Sequence, residues 1–250
     1  MKIVIIGGTG LIGSQVTALL KDKHEVIVAS PNTGVNTLTG EGLDEALVNA
    51  NVVIDVSNSP SFADADVMHF FKTSNENLLK AAKKAGIQHH IALSVVGTSE
   101  LQESGYFRAK QVQEDLIEAS GIPYTIIHAT QFFEFAGGIA AMSAVDGKVY
   151  LPDAFIQPIA SADVASFVAS RVSEKPAIGI LEIGGPEKFP MQEWIANYLS
   201  KKNDPAEVVA DADAPYSGAI ITANTLVAEK AFTLGKTYYE DWISKPGNLR

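Results

Sequence analysis

Short runs of apolar residues alternate along this chain with longer segments in which apolar residues recur every three or four positions. The runs are rich in Val and Ile, as is typical of parallel strands covered on both faces. They predict strands at residues 2–6, 25–29, 51–56, 89–95, 124–128 and 178–183. The longer segments predict helices at residues 11–21, 42–49, 65–85, 106–119 and 162–173. This alternation predicts an α/β fold with a doubly wound parallel sheet of the Rossmann type.

The regular alternation of predicted strands and helices ends after residue 183. Helical patterns continue at residues 190–201, 224–232 and 239–244, whereas residues 204–215 are acidic and rich in Ala and Pro, as in a loop. We therefore expect a Rossmann domain at residues 1–183 and a small C-terminal lobe on the substrate side at residues 184–250, together forming one compact unit. Ligands of such folds bind near the carboxyl ends of the strands, where we expect this lobe to lie.

A glycine-rich loop follows the first predicted strand. Residues 7–13 are Gly-Gly-Thr-Gly-Leu-Ile-Gly, with glycines spaced as G-x-x-G-x-x-G before an amphipathic helix. Such a loop lets the backbone turn sharply and approach a pyrophosphate, which the N–H groups at the helix start can bind. The alternative is an ordinary glycine-rich turn, but the strand before it and the helix and strand after it favour a dinucleotide site. The residues expected to contact the cofactor here are Gly7, Thr9, Gly10, Leu11, Ile12 and Gly13.

The end of the second predicted strand bears on the choice between NADP and NAD. Sites that prefer NAD usually carry Asp or Glu there to hold the ribose hydroxyls, and this chain has Ser30. Ser30, Asn32 and Thr33 could donate hydrogen bonds to a 2′-phosphate, although no Arg or Lys is nearby and the segment could be merely a polar loop. We expect NADP as the cofactor, with NAD as the alternative.

The glycine spacing resembles that of the extended and atypical short-chain dehydrogenases/reductases, and more closely that of their NmrA-like NAD(P)H-binding group. Further segments resemble the same group in the same order, and they cover most of the chain: residues 77–82, 90–94, 120–127 and 157–165. Two positions depart from the group's pattern. His128 stands where relatives often carry Arg-Pro, and Asn36 stands about where they carry an Asp that contacts the adenine.

Tyr106 and Lys110 form a Y-x-x-x-K pattern on a predicted helix, where residues four apart share a face. The resemblance to short-chain reductases implies that Tyr106 protonates a substrate carbonyl, and that Lys110 lowers the pKa of Tyr106 and holds the nicotinamide ribose. It also implies that Ser94, twelve residues earlier at a strand end, hydrogen-bonds the carbonyl. The alternative is that Tyr106 only packs and Lys110 only binds ribose.

Other polar and aromatic residues follow the carboxyl ends of predicted strands. Ser57 and Asn58 are candidates for contact with the cofactor's adenosine, or they could form a simple turn before Pro60. A second group is expected to line the substrate pocket, although its aromatic members could equally belong to the core: His128, Gln131, Phe132 and Phe133.

Composition and charge narrow the function further. The 250 residues carry a net charge of −10, which argues against a nucleic-acid surface. The chain has no cysteine, no stretch of about 20 apolar residues and no His/carboxylate cluster with metal spacing. We therefore expect a soluble cytoplasmic protein that binds no metal, no membrane and no nucleic acid.

Three functions fit these features. The first is an NADP-dependent oxidoreductase that reduces a carbonyl or quinone of a small organic substrate. The second is a redox sensor that binds NAD(P) without turnover and regulates a partner, as some NmrA-like proteins do. The third, a sugar-nucleotide epimerase, is less favoured because the tail is short and carries few Arg or Lys for a diphosphate. The sequence does not fix the oligomeric state, although similar proteins commonly form a homodimer.

Overall fold

A computed structural model describes residues 1–249. The helices are α1 (Leu11–Leu20), α2 (Leu43–Leu47), α3 (Asp64–Ala85), α4 (Gly105–Ala119), α5 (Ala136–Met142), α6 (Ser161–Ser170), α7 (Met191–Lys201) and α8 (Tyr239–Ile243). The strands are β1 (Lys2–Ile6), β2 (Glu25–Ala29), β3 (Val52–Asp55), β4 (His89–Val95), β5 (Tyr124–Ala129), β6 (Ala144–Val145), β7 (Lys148–Leu151), β8 (Phe155–Ile156), β9 (Gly179–Gly184), β10 (Phe189–Pro190), β11 (Glu207–Ala210) and β12 (Ala231–Leu234). Short 3-10 helices occur at Pro31–Thr33, Phe133–Phe135 and Arg171–Ser173.

The central sheet has, among the described residues, seven strands in the order β12-β9-β5-β4-β3-β1-β2. β1 pairs in parallel with β2 on one side and with β3 on the other, and β3 pairs in parallel with β4. The strand order therefore reverses at β1, and the crevice between the carboxyl ends of β1 and β3 is the place where such sheets bind ligands. The parallel sheet flanked by helices confirms the predicted Rossmann-type fold.

Two compact units divide the chain. The first comprises Met1–Ser94, Gly105–His128 and Val164–Leu181. The second comprises Val95–Ser104, Ala129–Asp163 and the chain from Glu182 onward. This division differs from the single boundary expected at residue 184, because the second unit also draws on two earlier segments.

The first unit has a core of aliphatic side chains that α2, α3 and α4 contribute together with five strands, β1 to β5. Its buried members include Val4, Leu47, Val53, Leu78, Ala82, Ala92, Ile117 and Ile126. α3 has the charge pattern that a helix dipole favours, with Asp64 and Asp66 in the first turn and Lys83 and Lys84 in the last. It ends at Gly86, which adopts the left-handed conformation at φ +71° that favours glycine.

The second unit combines two small sheets with an aromatic core. β11, β7 and β6 form one sheet, and β10 pairs with β8. The core contains a cluster of ring contacts, with centroids 5.1–6.2 Å apart, among Phe133, Phe189, Trp194, Tyr239 and Trp242.

Two predictions for the tail were wrong. The predicted loop at residues 204–215 contains β11, which pairs in parallel with β7 over four residues. The predicted helix at residues 224–232 is a series of turns that ends in β12. Its apolar Leu226 is fully buried and forms a bridge with Ile156, so a long-range contact uses a side chain that the pattern had assigned to a helix face. No helix in the described part of the chain is long and apolar enough to cross a bilayer.

Candidate functional site

The glycine loop lies at the crevice between β1 and β3. Gly7 has φ +75°, and a Cβ atom there would lie 2.8 Å from the backbone Cα and N of Ser57. A Cβ atom at Gly13 would lie 2.2 Å from the carbonyl oxygen of Gly7. Contacts this short exclude any side chain. The glycines at these two positions therefore let β1, α1 and the residues after β3 approach one another closely.

The N-terminus of α1 fits the pyrophosphate of a dinucleotide. The N-cap is Gly10, which has no side chain to cap the helix, and the first turn carries no acidic residue. The first N–H groups of a helix have no acceptor within the helix, and together with the helix dipole they favour an anion. Thr9, Gly10 and Leu11 are exposed here, whereas Ile12 and Gly13 are buried.

The polar residues after β2 make local contacts in addition to any role with a cofactor. The hydroxyl of Thr33 accepts a hydrogen bond from the backbone N–H of Ser30 at 2.9 Å and donates one to the carbonyl of Val28 at 2.8 Å. Ser30 is buried, and Asn32 is exposed. The side-chain oxygen of Asn36 accepts a hydrogen bond from the N–H of Leu38 at 2.9 Å. The roles proposed for these residues in binding the cofactor stay predictions.

Tyr106 lies near the start of α4, next to α3 and to the loop that follows β3. Its hydroxyl donates a hydrogen bond to the side-chain oxygen of Asn58 at 3.2 Å. Its ring lies 5.9 Å from the ring of Phe71 on α3 and 5.9 Å from that of Phe62, which is largely exposed. Burial raises the pKa of Tyr106 above its usual value. This direction is opposite to the lowering of the pKa expected from Lys110, because burial dominates; it keeps the hydroxyl protonated but makes it a weaker acid than an exposed tyrosine.

Lys110 follows one turn later on α4, and it is 2% exposed. Its Nζ donates to the carbonyl of Leu93 at 2.9 Å and to Oε1 of Gln113, and it lies 4.5 Å from the centroid of the Phe71 ring. Burial lowers the pKa of Lys110 to about 8, although the carboxylates of Asp55 and Glu114 act in the opposite direction. Tyr106 and Lys110 thus contact the same ring, as expected for residues on one helix face.

Ser94 lies at the end of β4, where its hydroxyl donates to Oε1 of Glu114 on α4. The same oxygen lies 3.0 Å from Nε2 of His128, and all three residues are buried. Burial alone would raise the pKa of Glu114, but hydrogen bonds from His128 and Ser94 and the charge of Lys110 lower it below its usual value. The partner of Ser94 in this structure is thus a carboxylate, and its role toward a substrate carbonyl stays a prediction.

Of the residues expected to line the substrate pocket, His128 belongs to the first unit, and Gln131, Phe132 and Phe133 belong to the second. Phe133 lies in the aromatic core of the second unit, and Phe132 stacks on Phe135 at 4.9 Å. Gln131 is buried, and its amide has no hydrogen-bond partner among the described residues. Their roles toward a substrate stay predictions.

Three buried polar residues of the site were missed by the sequence analysis: Asp55, Gln113 and Glu114. Together with Ser94, Lys110 and His128 they form what we call the α4 seam, a row of buried polar side chains where α4 lies on the sheet. Two signals could have revealed it. Asp55 is a charged residue at the end of an apolar strand, and Gln113 and Glu114 follow Lys110 by three and four positions, on the same helix face.

The switch-point crevice, its glycine walls and the open helix N-terminus define a Rossmann-type domain built to bind a dinucleotide. A family model described as NAD(P)H-binding matches residues 7–175 of the chain. The protein belongs to this NAD(P)H-binding family.

Individual relatives are distant. The photosystem II assembly factor Ycf39 of Synechocystis is 24% identical over 190 residues, which cover 69% of this chain and 58% of that protein. Its counterpart from Cyanophora paradoxa is matched over 50% of its length, so this chain spans about half the length of these relatives. The (4-alkanoyl-5-oxo-2,5-dihydrofuran-3-yl)methyl phosphate reductase of Streptomyces griseus is 25% identical, over 78% of this chain and 71% of that protein.

Among solved structures, the Bordetella bronchiseptica enzyme WbmG in complex with NAD aligns with a TM-score of 0.72 at 16% identity. The alignment covers 97% of this chain and 91% of that enzyme. At this identity the likeness shows the fold alone. The family match supports a nicotinamide dinucleotide as the cofactor.

Proposed function

We propose that this protein is an NADP-dependent oxidoreductase that reduces a carbonyl or quinone group of a small organic molecule. The observation that carries the proposal is the glycine-walled crevice within a unit that also places Tyr106 and Lys110 on one face of α4. The reductase among the distant relatives agrees with this chemistry.

Tyr106 and Lys110 would supply the two groups that carbonyl reduction uses, a proton donor and a nearby cation. A bound dihydronicotinamide supplies a hydride to the carbonyl carbon. The Tyr106 hydroxyl would then donate its proton to the carbonyl oxygen, so that the product is an alcohol and the tyrosine is left as an anion. Lys110, protonated below about pH 8, would stabilise that anion and bind the ribose hydroxyls. The aromatic rings around Tyr106 would exclude water from the transferred proton.

Phe62 is the residue best placed to meet a substrate beside Tyr106. Its side chain is 65% exposed although it is a large apolar ring, and it lies against the ring of Tyr106. A flat substrate such as a quinone or an aryl ketone could stack on this ring. We propose the preference for NADP because the end of β2 carries Ser30 and not a carboxylate, which would repel a 2′-phosphate.

The first experiment is a fluorescence titration of the protein with NADPH and NADH, followed by assays on a panel of aldehydes, ketones and quinones. Tyr106→Phe is expected to lower kcat by roughly 100- to 10,000-fold while the affinity for NADPH stays unchanged. Tyr124→Phe, a half-buried tyrosine of the same unit, is the matched control and should retain activity. An equally active Tyr106→Phe variant would contradict the role of the tyrosine.

One observation favours the second candidate function, a redox sensor without turnover. In this structure Tyr106, Lys110 and Ser94 all donate hydrogen bonds to groups of the protein itself. A sensor could bind the nucleotide through the glycine loop and leave these bonds intact. Tight binding of NADPH to both the wild type and Tyr106→Phe, with no turnover on any acceptor, would support the sensor. Failure to bind either nucleotide would contradict both functions.

A further inference from the structure

A continuous chain of hydrogen bonds joins the wall of the glycine loop to Lys110. It starts at Ser57, whose backbone lies against Gly7, and whose N–H and hydroxyl both donate to Oδ1 of Asp55 at 3.0 and 2.7 Å. The other carboxylate oxygen of Asp55 accepts a hydrogen bond from Nε2 of Gln113 at 3.0 Å. Oε1 of Gln113 then accepts from Nζ of Lys110.

Asp55 determines in which direction the hydrogen bonds of this series are donated. A carboxylate can only accept hydrogen bonds, so Gln113 must present its NH₂ group to Asp55. The amide oxygen of Gln113 then necessarily faces away, toward the ammonium group of Lys110. A side chain on β3 thereby determines which group meets Lys110 on α4.

Burial makes this dependence strong. Asp55, Gln113 and Lys110 are each at most 2% exposed, so water cannot replace a lost partner. Unsatisfied polar groups are costly in such surroundings, and charge-assisted hydrogen bonds are stronger there than at the surface. Nζ of Lys110 has two further neighbours, the carbonyl of Leu93 and the ring of Phe71. The ring is the weakest acceptor of the three, so it is the contact that a ribose hydroxyl would replace.

We propose that Asp55 and Gln113 are positioning residues that hold Lys110 in register with the glycine loop, so that one dinucleotide can contact both. This inference rests on the proposed function, in which Lys110 binds the nicotinamide ribose. Both residues are buried, so in this proposal neither touches the dinucleotide itself. Asp55 acts through Ser57 on one side and through Gln113 on the other.

The test exchanges the polarity of one hydrogen bond. In Asp55→Asn, the new NH₂ group faces the NH₂ group of Gln113, whose amide must rotate and then presents a donor to Lys110. The double variant Asp55→Asn/Gln113→Glu removes this conflict, because the carboxylate introduced on α4 accepts both from the amide introduced on β3 and from Lys110. The double variant also carries the same total charge as the wild type.

The binding readout separates the two halves of the cofactor. Asp55→Asn is expected to weaken the affinity for NADPH by roughly 10- to 100-fold, since a charge-assisted hydrogen bond is misplaced. Its affinity for adenosine 2′,5′-bisphosphate, which lacks the nicotinamide half, should stay within about twofold, because the amide oxygen of the introduced side chain can still accept from Ser57. The double variant should recover most of the NADPH affinity.

α4 offers a matched control. Gln111 donates to the carboxylate of Asp115 at 2.8 Å on the exposed face of the same helix, so Asp115→Asn makes the same chemical change at a solvated Gln–Asp pair. This variant should bind NADPH like the wild type. If Asp55→Asn does not fold, Gln113→Met serves in its place, because it deletes the link to Lys110 without changing the charge.

A second readout needs no cofactor. The pKa of the Lys110 ammonium can be measured by ¹⁵N NMR in the nucleotide-free protein, where Asp55 and Glu114 are the carboxylates that favour its charged form. We expect this pKa to fall in Asp55→Asn and to return toward the wild-type value in the double variant, and to be unchanged in Asp115→Asn.

The outcomes separate the inference from the function on which it rests. If the wild type binds neither nucleotide, the proposed function fails, and the Lys110 titration alone decides whether the chain orients the lysine. If Asp55→Asn binds NADPH as the wild type does, the inference is overturned. The same holds if the double variant unfolds at the wild-type temperature but does not recover NADPH affinity.

Discussion

The glycine loop and the α4 seam belong to the same unit but are built in opposite ways. The loop is shaped by side chains that are missing, and its helix N-terminus presents N–H groups that no acidic residue of the first turn approaches. The seam is built from side chains that are present, buried and bonded to one another. A phosphate can therefore bind the loop without displacing a protein contact, whereas a ribose bound by Lys110, as proposed above, would have to displace one of that lysine's contacts. We expect the loop to provide affinity and the seam to determine where the reactive half of a dinucleotide lies.

The largest effect is expected at the loop. Gly13→Ala places a Cβ atom 2.2 Å from the Gly7 carbonyl oxygen and 2.6 Å from Gly8 Cα, which are backbone atoms that cannot rotate away. We expect the free energy of unfolding to fall by about 3 kcal/mol or more, as measured by urea denaturation. Gly138→Ala on α5 is the control, because a Cβ atom there meets nothing within 4 Å. An unchanged stability of Gly13→Ala would contradict the packing of this loop.

Lys110 in the α4 seam should make the free energy of unfolding depend on pH. Its pKa is about 8 in the folded protein against an ordinary 10.5, so the unfolded chain binds more protons between these values, and stability must rise with pH there. Above pH 10.5 the uncharged Lys110 costs the fold no stability in this respect. As the pH falls to about 8, this stability is lost, because protonation then favours the unfolded chain. Relative to Lys110→Met, the wild type should gain up to roughly 3 kcal/mol across this window, measured by denaturation at several pH values.

The matched variant for this comparison is Lys84→Met. Lys84 is exposed and pairs with Asp44, which raises its pKa, so any effect should be small and opposite in sign. Equal pH slopes for wild type and Lys110→Met would show that the lysine is more hydrated than its burial indicates.

Glu114 tests the carboxylate side of the seam. Its pKa is lowered in the folded state, so it adds stability above its ordinary value of 4.5, and that stability is lost as the pH falls through the folded pKa. Glu114→Gln keeps the shape but loses the charge, and it should destabilise the protein by about 1–3 kcal/mol at pH 7. The difference, followed by urea denaturation, should close in acid. Glu118→Gln, exposed on the same helix, should change little.

The smallest effect concerns cofactor choice at the loop. Ser30→Asp places a carboxylate at the end of β2, where it would repel a 2′-phosphate and accept from ribose hydroxyls. Asp is also a good N-cap for the 3-10 helix Pro31–Thr33 that follows Ser30, which offsets part of the cost of placing a charge at this buried position. We expect the ratio of NADPH to NADH affinity to fall by about tenfold, which is about 1.4 kcal/mol. Ser200→Asp adds the same charge at an exposed position and should leave the ratio unchanged.

The first unit was largely predictable because its signals are local. The bounds of β1, β2 and β4 are those that the apolar runs predict, and the glycine loop stands between a strand and a helix as its spacing requires. The second unit was not, since β11 and the residues around Leu226 pair with distant partners that no local pattern encodes. The α4 seam was predictable only in part. The face shared by Lys110, Gln113 and Glu114 could be seen in the sequence, but the approach of Asp55 from β3 could not.

The polarity of the bond between Asp55 and Gln113 has a consequence for how this family diverges. A change at either position alone leaves two donors or two acceptors facing each other in a dry interior, and selection should remove it. A compensating change at both positions leaves Lys110 with the same kind of hydrogen-bond acceptor. Homologues with Asn at the position of Asp55 should therefore carry Glu at the position of Gln113, and the two sites should vary as a linked pair although 58 residues separate them in the chain.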